Sequence, residues 1–139
     1  MPNSKKITTL GEFQDELRKQ ISSAKKNLLV VTPIGLETVV ESLAQTAFAK
    51  KRVKFVYVAQ YDLKLFNMMI IKMKVLGNIQ FRQLEGIGTF WGCNRDDNEV
   101  IFGTGSGDTM HLTVSQDPAD VERIKVKMTA EILPSSKVL

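Results

Sequence analysis

"TFWGCNRDDNEVIFGTGS", residues 89–106, sets an apolar run, a knot of polar residues and a second apolar run that ends in glycines. Two strand-like runs around Asp96 and Asp97 predict a β-hairpin with a solvated turn. The same stretch also fits the remains of an active site, with the paired acids and the Gly103-Thr104-Gly105-Ser106 tail as its polar parts. The sequence on either side has to decide between them.

Upstream, "NLLVVTP" (27–33) and "VKFVYVAQ" (53–60) are short, continuously apolar runs of the type buried on both faces of a parallel sheet. Thr9-Leu10-Gly11-Glu12 is a capping box, and Leu10, Phe13, Leu17, Ile21 and Ala24 follow it at helical spacing as far as about Lys26. Leu36, Val39, Val40, Leu43 and Ala47 mark a second helix. Asp62 caps a third that runs to Leu76, with Gly77 as its stop. "IQFRQLEG" (79–86) alternates and predicts a strand near an edge. Downstream of the hairpin, "MHLTVS" (110–115) predicts a further strand. Asp117-Pro118, with Asp120 in the first turn, opens a last helix.

Helices between the strands predict crossovers, and hence an α/β layered sandwich. Its sheet is expected to be mixed but mostly parallel, with helices on both faces and short frayed termini. The whole chain, 1–139, reads as one domain, long enough to bury a core without staples.

Composition bounds the function. An apolar fraction of 43% and a charged fraction of 24% are those of a soluble globular protein. A single cysteine, Cys93, excludes an intrachain disulfide and any multi-cysteine metal site, and a reducing, cytoplasmic setting fits best. The densest apolar stretch, "LFNMMIIKMKVL", is broken by Asn67, Lys72 and Lys74, so neither a membrane span nor a signal peptide is expected. Net charge is +4, but the basic groups Lys25-Lys26 and Lys50-Lys51-Arg52 close predicted helices. Arg123, Lys125 and Lys127 spread around another helix. Solvated helix ends are the expected reading, ahead of a binding surface.

Catalytic patterns are missing. The only histidine, His111, sits in a strand-like setting, and Cys93 alternates with Trp91 as a packed thiol would. "GTGSGD" (103–108) is followed by neither Lys-Ser/Thr nor a helix, so it is no phosphate loop. Asp96 and Asp97 have only Glu99 nearby to complete a metal site. No cofactor and no metal are expected.

Order of elements and residues together resemble the phospholipase D superfamily, specifically its non-catalytic relatives in archaeal TrmB-like transcription regulators. Active members carry His-x-Lys-x-x-x-x-Asp on a hairpin, then Gly-Ser/Thr and an Asn. Aligned on Gly103-Thr104, the motif's Asp falls on Asp96, its His on Thr89, its Lys on Trp91 and its Asn on Ser106. The skeleton is kept and the chemistry is lost, because a threonine cannot form the superfamily's phospho-histidine intermediate. "ISSAKKNLLVVTP", "LAQTAFAKKRVKFVYVA" and "HLTVSQDPADVERIKVKM" resemble the regulators' effector domain. No DNA-reading winged helix fits before Ile7, so an excised effector domain or a stand-alone relative is expected.

What this implies is a regulatory domain with no catalytic residues. Ligands of open α/β sheets collect beyond the carboxyl ends of parallel strands. Thr32, Gln60, Tyr61 and Asp62 lie at those ends, as does Glu85-Gly86. With Thr89, Trp91, Asp96 and Thr104 they are the expected ligand-binding residues, suited to a sugar or another small polar molecule. Single-motif superfamily members pair two chains through their motif hairpins, and "LKLFNMMIIKMKVL" has more apolar residues than one sheet should cover, so a homodimer is expected, with this helix or the 89–106 hairpin at the contact. DNA is expected only through a separate domain or weakly. The alternative is a phospholipase D-like scaffold or nucleic-acid-associated module that uses its basic surface.

Overall fold

The apolar runs 27–31 and 54–59 become adjacent parallel strands at the centre of one eight-stranded sheet, in a computed structural model that describes residues 4–85, 88–106 and 109–139. In chain order the elements are β1 (Lys5–Ile7), α1 (Leu10–Ser23), β2 (Asn27–Val31), α2 (Glu37–Ala49), β3 (Lys54–Ala59), α3 (Leu63–Lys74) and β4 (Ile79–Leu84). They continue with β5 (Phe90–Arg95), β6 (Glu99–Ser106), β7 (Thr109–Ser115), α4 (Pro118–Val126) and β8 (Ser136–Val138). A π-helical turn (Lys127–Ile132) and a 3₁₀ turn (Leu133–Ser135) link α4 to β8. The strand order is β1-β7-β6-β5-β2-β3-β4-β8.

The expected sheet, mostly parallel, is corrected. Among the described residues only β2–β3 and β3–β4 are parallel, and every other pairing is antiparallel. The reason lies in the connections. A parallel neighbour needs a crossover, which α2 and α3 supply, whereas the short links β5–β6 and β6–β7 permit only hairpins. Lys5–Ile7 and Ser136–Val138 add a three-residue strand at each edge of the sheet, so the carboxyl end is paired where fraying was expected; at the amino end that expectation falls on residues 1–3, outside the described residues. Lys5, Lys6 and Lys137 on those strands place charge where an open edge would otherwise invite pairing.

Helices cover both faces. On one, Phe13, Leu17 and Ile21 of α1, Val40 and Leu43 of α2, and Phe66 and Ile70 of α3 pack with Phe55, Tyr57, Trp91 and Cys93 of the sheet. On the other, Val121 and Ile124 of α4 and Met128 pack with Val31, Val58 and Val100. Cys93 is fully buried, and burial pushes its thiol far up, as a packed side chain requires.

The caps fall where the residues predict. Thr9 accepts from the Glu12 N–H at 3.2 Å, Asp62 from Lys64 at 3.1 Å and Asp117 from Ala119 at 3.0 Å. The central hairpin turns at Asp96 and Asp97, which have φ of 55° and 56°, and is closed by the Asn98 N–H on the Arg95 carbonyl at 2.9 Å. Two left-handed residues in a row are the pattern of a type I′ turn, which Asp and Asn tolerate and most residues do not. The glycine tail also has a packing reason. A Cβ on Gly103 would lie 2.0 Å from the His111 carbonyl oxygen, so only glycine lets β7 come this close.

Candidate functional site

Strand direction sorts the eight expected ligand residues. Thr32, Gln60, Tyr61 and Asp62 follow the carboxyl ends of β2 and β3. Because β5 runs antiparallel to β2, Thr89 and Trp91 lie at that same end, and the register Phe90–Thr104 brings Thr104 there too. Asp96 does not join them. It sits in the hairpin turn at the opposite end, beside Asn27 at the start of β2.

Within the seven that gather, the polar atoms of the buried members are already taken. Thr32 is fully buried; its hydroxyl donates to the Ile34 carbonyl at 2.6 Å and accepts from the Tyr57 hydroxyl at 2.7 Å. Tyr57 in turn accepts from the Leu36 N–H at 3.0 Å, and burial pushes its phenol up to about 12 despite these bonds. The Tyr61 hydroxyl donates to the Tyr57 carbonyl at 2.7 Å, and its ring meets Tyr57 edge-on at 5.4 Å. Its own phenol is held well above the ordinary tyrosine value, first by burial and then by Tyr57. The Gln83 amide holds the Tyr61 backbone from both sides, at 3.1 Å and 3.3 Å. Together they fix the β3–α3 corner.

Trp91 belongs to the core, not to an open crevice. It is 2% exposed, meets Phe13 edge-on at 5.2 Å, and its indole N–H donates to the Gly105 carbonyl at 2.9 Å. The exposed members are Gln60, Asp62, Thr89 and Thr104. Of these, Asp62 also caps α3.

At the same end, on the α4 face, a cavity of about 200 Å³ is lined by Val31, Leu84, Glu85, Gly88, Phe90, Glu131, Ile132 and Ser135. None of the eight expected residues lines it. Glu85 is paired with Lys137 at 3.1 Å, and Gly86, expected beside it, lies outside the described residues. The 131–135 segment that closes this cavity carries no sequence pattern that marks it in advance. Among the described residues no group of three or more His, Cys, Asp or Glu side chains is placed to hold a metal ion. No helix among them is long and apolar enough to cross a membrane.

Asp96 has a defined task where it stands. Its carboxylate accepts the backbone N–H groups of Lys25, Lys26 and Asn27 at 2.8, 2.7 and 2.9 Å and so holds the α1–β2 loop to the hairpin. Burial works to raise its pKa, but these three donors and Arg95 at 3.9 Å outweigh it, and the group is held below the usual carboxylate range. Beside it the Arg95 guanidinium donates to Gln20 at 2.7 Å, and Gln20 also bonds Glu99. This half-buried polar cluster braces α1 against the hairpin.

No protein-family model matches the sequence, and the comparison with curated proteins found no match. Solved structures do share the fold. TrmBL2, an archaeal chromatin protein described with a novel mode of DNA binding, superposes with a TM-score of 0.75 at 12% identity over 96% of this chain. The present chain spans about half (53%) of that protein. NucT from Helicobacter pylori superposes with a TM-score of 0.73 at 15% identity over 100% of both chains. Nuc from Salmonella typhimurium, a phospholipase D family member, does so with 0.72 at 15% over 100% of this chain and 99% of its own. At these identities the likeness is one of fold, and the fold is phospholipase D-like.

Proposed function

We propose that the chain is a non-catalytic phospholipase D-like domain that acts by binding, as a TrmB-like regulator's effector domain does, and works as a homodimer. The observation that carries this reading is the state of the two motif positions. Thr89 has no imidazole to attack phosphorus. Trp91, at the phosphate-binding position, is a buried side chain whose one donor, the indole N–H, is bonded to the Gly105 carbonyl. His111 is no substitute. It pairs with Thr104, which pairs with Phe90, so it shares the sheet face of Phe90 and not that of positions 89 and 91. Two strand spacings, about 9.6 Å, also separate β7 from β5.

The expected result is no hydrolysis of bis(4-nitrophenyl) phosphate above buffer. Turnover that co-purifies with the chain and vanishes on mutating the 89–106 hairpin would overturn the reading. A small polar ligand, if one binds among the expected residues, has the exposed Gln60, Asp62, Thr89 and Thr104 to work with.

Dimerisation is supported by α3. Its inner face buries Phe66 and Ile70, while Leu65, Met68, Ile71 and Val75 on the outer face are 72%, 63%, 52% and 84% exposed. Such a stripe is self-complementary about a two-fold axis, the commonest closed arrangement. Light scattering should give twice the 15.6 kDa of one chain. Leu65→Glu with Val75→Glu should return the single-chain mass, and a wild type already at that mass would exclude the dimer.

A second reading, nucleic-acid association, is favoured by the likeness to an archaeal chromatin protein whose DNA binding is described.

A further inference from the structure

The three loops that enter β2, β3 and β4 lie at one end of the sheet, because these strands are parallel. Each loop is basic. Lys25 and Lys26 precede β2, Lys51 and Arg52 precede β3, Lys54 opens it, and Lys74 closes α3 ahead of β4. In the sequence these cations stand apart as helix ends, but the parallel order collects them into one rim. Backbone bonds set the loops side by side, from the Lys54 N–H to the Lys26 carbonyl at 3.0 Å and from the Phe55 N–H to the Asn78 carbonyl at 2.8 Å. All six side chains are exposed, and among the described residues none is in an ion pair. Of the acids at this end, Asp96 accepts the backbone amides of Lys25, Lys26 and Asn27 from within the first loop, Asp97 pairs with Lys125 at 3.2 Å, and Glu99 bonds Gln20 and Gln116, so none pairs with a rim side chain.

The rim is also braced from beneath. Lys50 is turned inward, where its ammonium donates to the Ser22 and Ala24 carbonyls and ties the first two loops together. The Asn78 amide donates to the carbonyls of Ala47, Lys50 and Val53 at 3.1, 3.0 and 3.0 Å and so holds the second loop to the third. Between Lys25 and Arg52 this frame leaves an open concavity of about 570 Å³. Phe48, 68% exposed, stands beside it with the Lys51 ammonium 6.0 Å from its ring.

We propose that this rim binds the sugar-phosphate backbone of a nucleic acid. This deepens the reading of the chain as a binding domain and rests on it. Six exposed cations gathered at one end of the sheet, none in an ion pair among the described residues, repel one another, and a polyanion relieves that repulsion while releasing its own counterions. Phe48 offers a flat face on which a base can stack, as single-strand binders use aromatic rings. Because the frame is braced, the loop backbones need no ordering on binding, and only the side chains do.

The test is fluorescence anisotropy with a labelled oligonucleotide, single-stranded and duplex, titrated with the full chain across about 50 to 200 mM salt. Lys25→Gln, Lys51→Gln and Arg52→Gln together should weaken binding about tenfold or more at the low end. They should also flatten the log-log salt slope by roughly 0.9 for each phosphate contact removed. Arg18→Gln, Arg123→Gln and Lys137→Gln remove the same charge elsewhere and should change affinity less than about twofold, as rim-specific contact requires. Whichever oligonucleotide binds tighter identifies the form recognised. Equal loss in both triple variants, no oligonucleotide binding by the wild type, or rim-dependent binding to phosphatidylserine vesicles alone would overturn the proposal. Phosphodiester turnover by the wild type would instead defeat the non-catalytic reading and leave the anisotropy result standing.

Discussion

Trp91→Ala should destabilise the fold by about 4 kcal/mol in urea denaturation followed by circular dichroism. The indole is 2% exposed and packed edge-on against Phe13, so its removal leaves a cavity between α1 and β5. The Gly105 carbonyl loses its indole donor as well. Trp91→Phe keeps most of the ring and loses the N–H, and should cost about 1–2 kcal/mol. The pair distinguishes packing from ligand contact. A tryptophan displayed in an open crevice would change stability by no more than about 0.5 kcal/mol on truncation. It is also the only tryptophan, so weak quenching of the wild-type fluorescence by iodide is expected independently of any mutation.

How far the sequence discloses this arrangement depends on the range of the interaction. Local signals are legible: Thr9 with Glu12, Asp62 and Asp117-Pro118 open helices where their side chains can reach nearby amides. Continuous apolar runs mark β2 and β3, because both their faces are covered. Strand direction is less legible. The pattern of β5, β6 and β7 says that they are strands, but their antiparallel order follows from link lengths that the apolar pattern does not weigh. Edge strands β1 and β8 are three residues each and joined by backbone bonds that any side chains allow.

Of the expected ligand residues, Thr32, Gln60, Tyr61, Asp62, Thr89, Trp91 and Thr104 share one end of the sheet, because strand ends can be read from the apolar runs. Depth was not legible. Alternation assigns Trp91 a face without saying that Phe13, 78 positions earlier in the chain, closes over it. The basic rim escaped for the same reason, because only the parallel pairing of β2, β3 and β4 brings Lys26, Lys54 and Asn78 together.

Asp96→Ala is expected to cost about 3 kcal/mol, the second large effect, because a charged acceptor is withdrawn from three backbone donors and alanine is strained at a left-handed φ. Partners 69 to 71 positions away make this a tertiary bond set, not a local turn effect. Asp96→Asn tolerates the same backbone and keeps one oxygen acceptor, so it should lose less than Asp96→Ala. Asp97→Ala, at a comparable φ but bonded only to Asn94 and Lys125, should lose about 1 kcal/mol. The pH dependence has a definite sign. The carboxyl of Asp96 is held below its unfolded value, near 3.9, so the native state binds the proton less readily than the unfolded chain. The stabilisation is therefore complete above that value and is lost as pH falls through the lower, folded pKa. Glu12 and Asp120 are lowered too and contribute in the same acid window, so the difference between wild type and Asp96→Asn isolates Asp96. That difference should be constant from neutral pH down to about pH 5 and shrink below about pH 4. If it stays constant to pH 2, the three amides do not favour the charged form, and Asp96 is not the clamp that holds Lys25 and Lys26 in the rim.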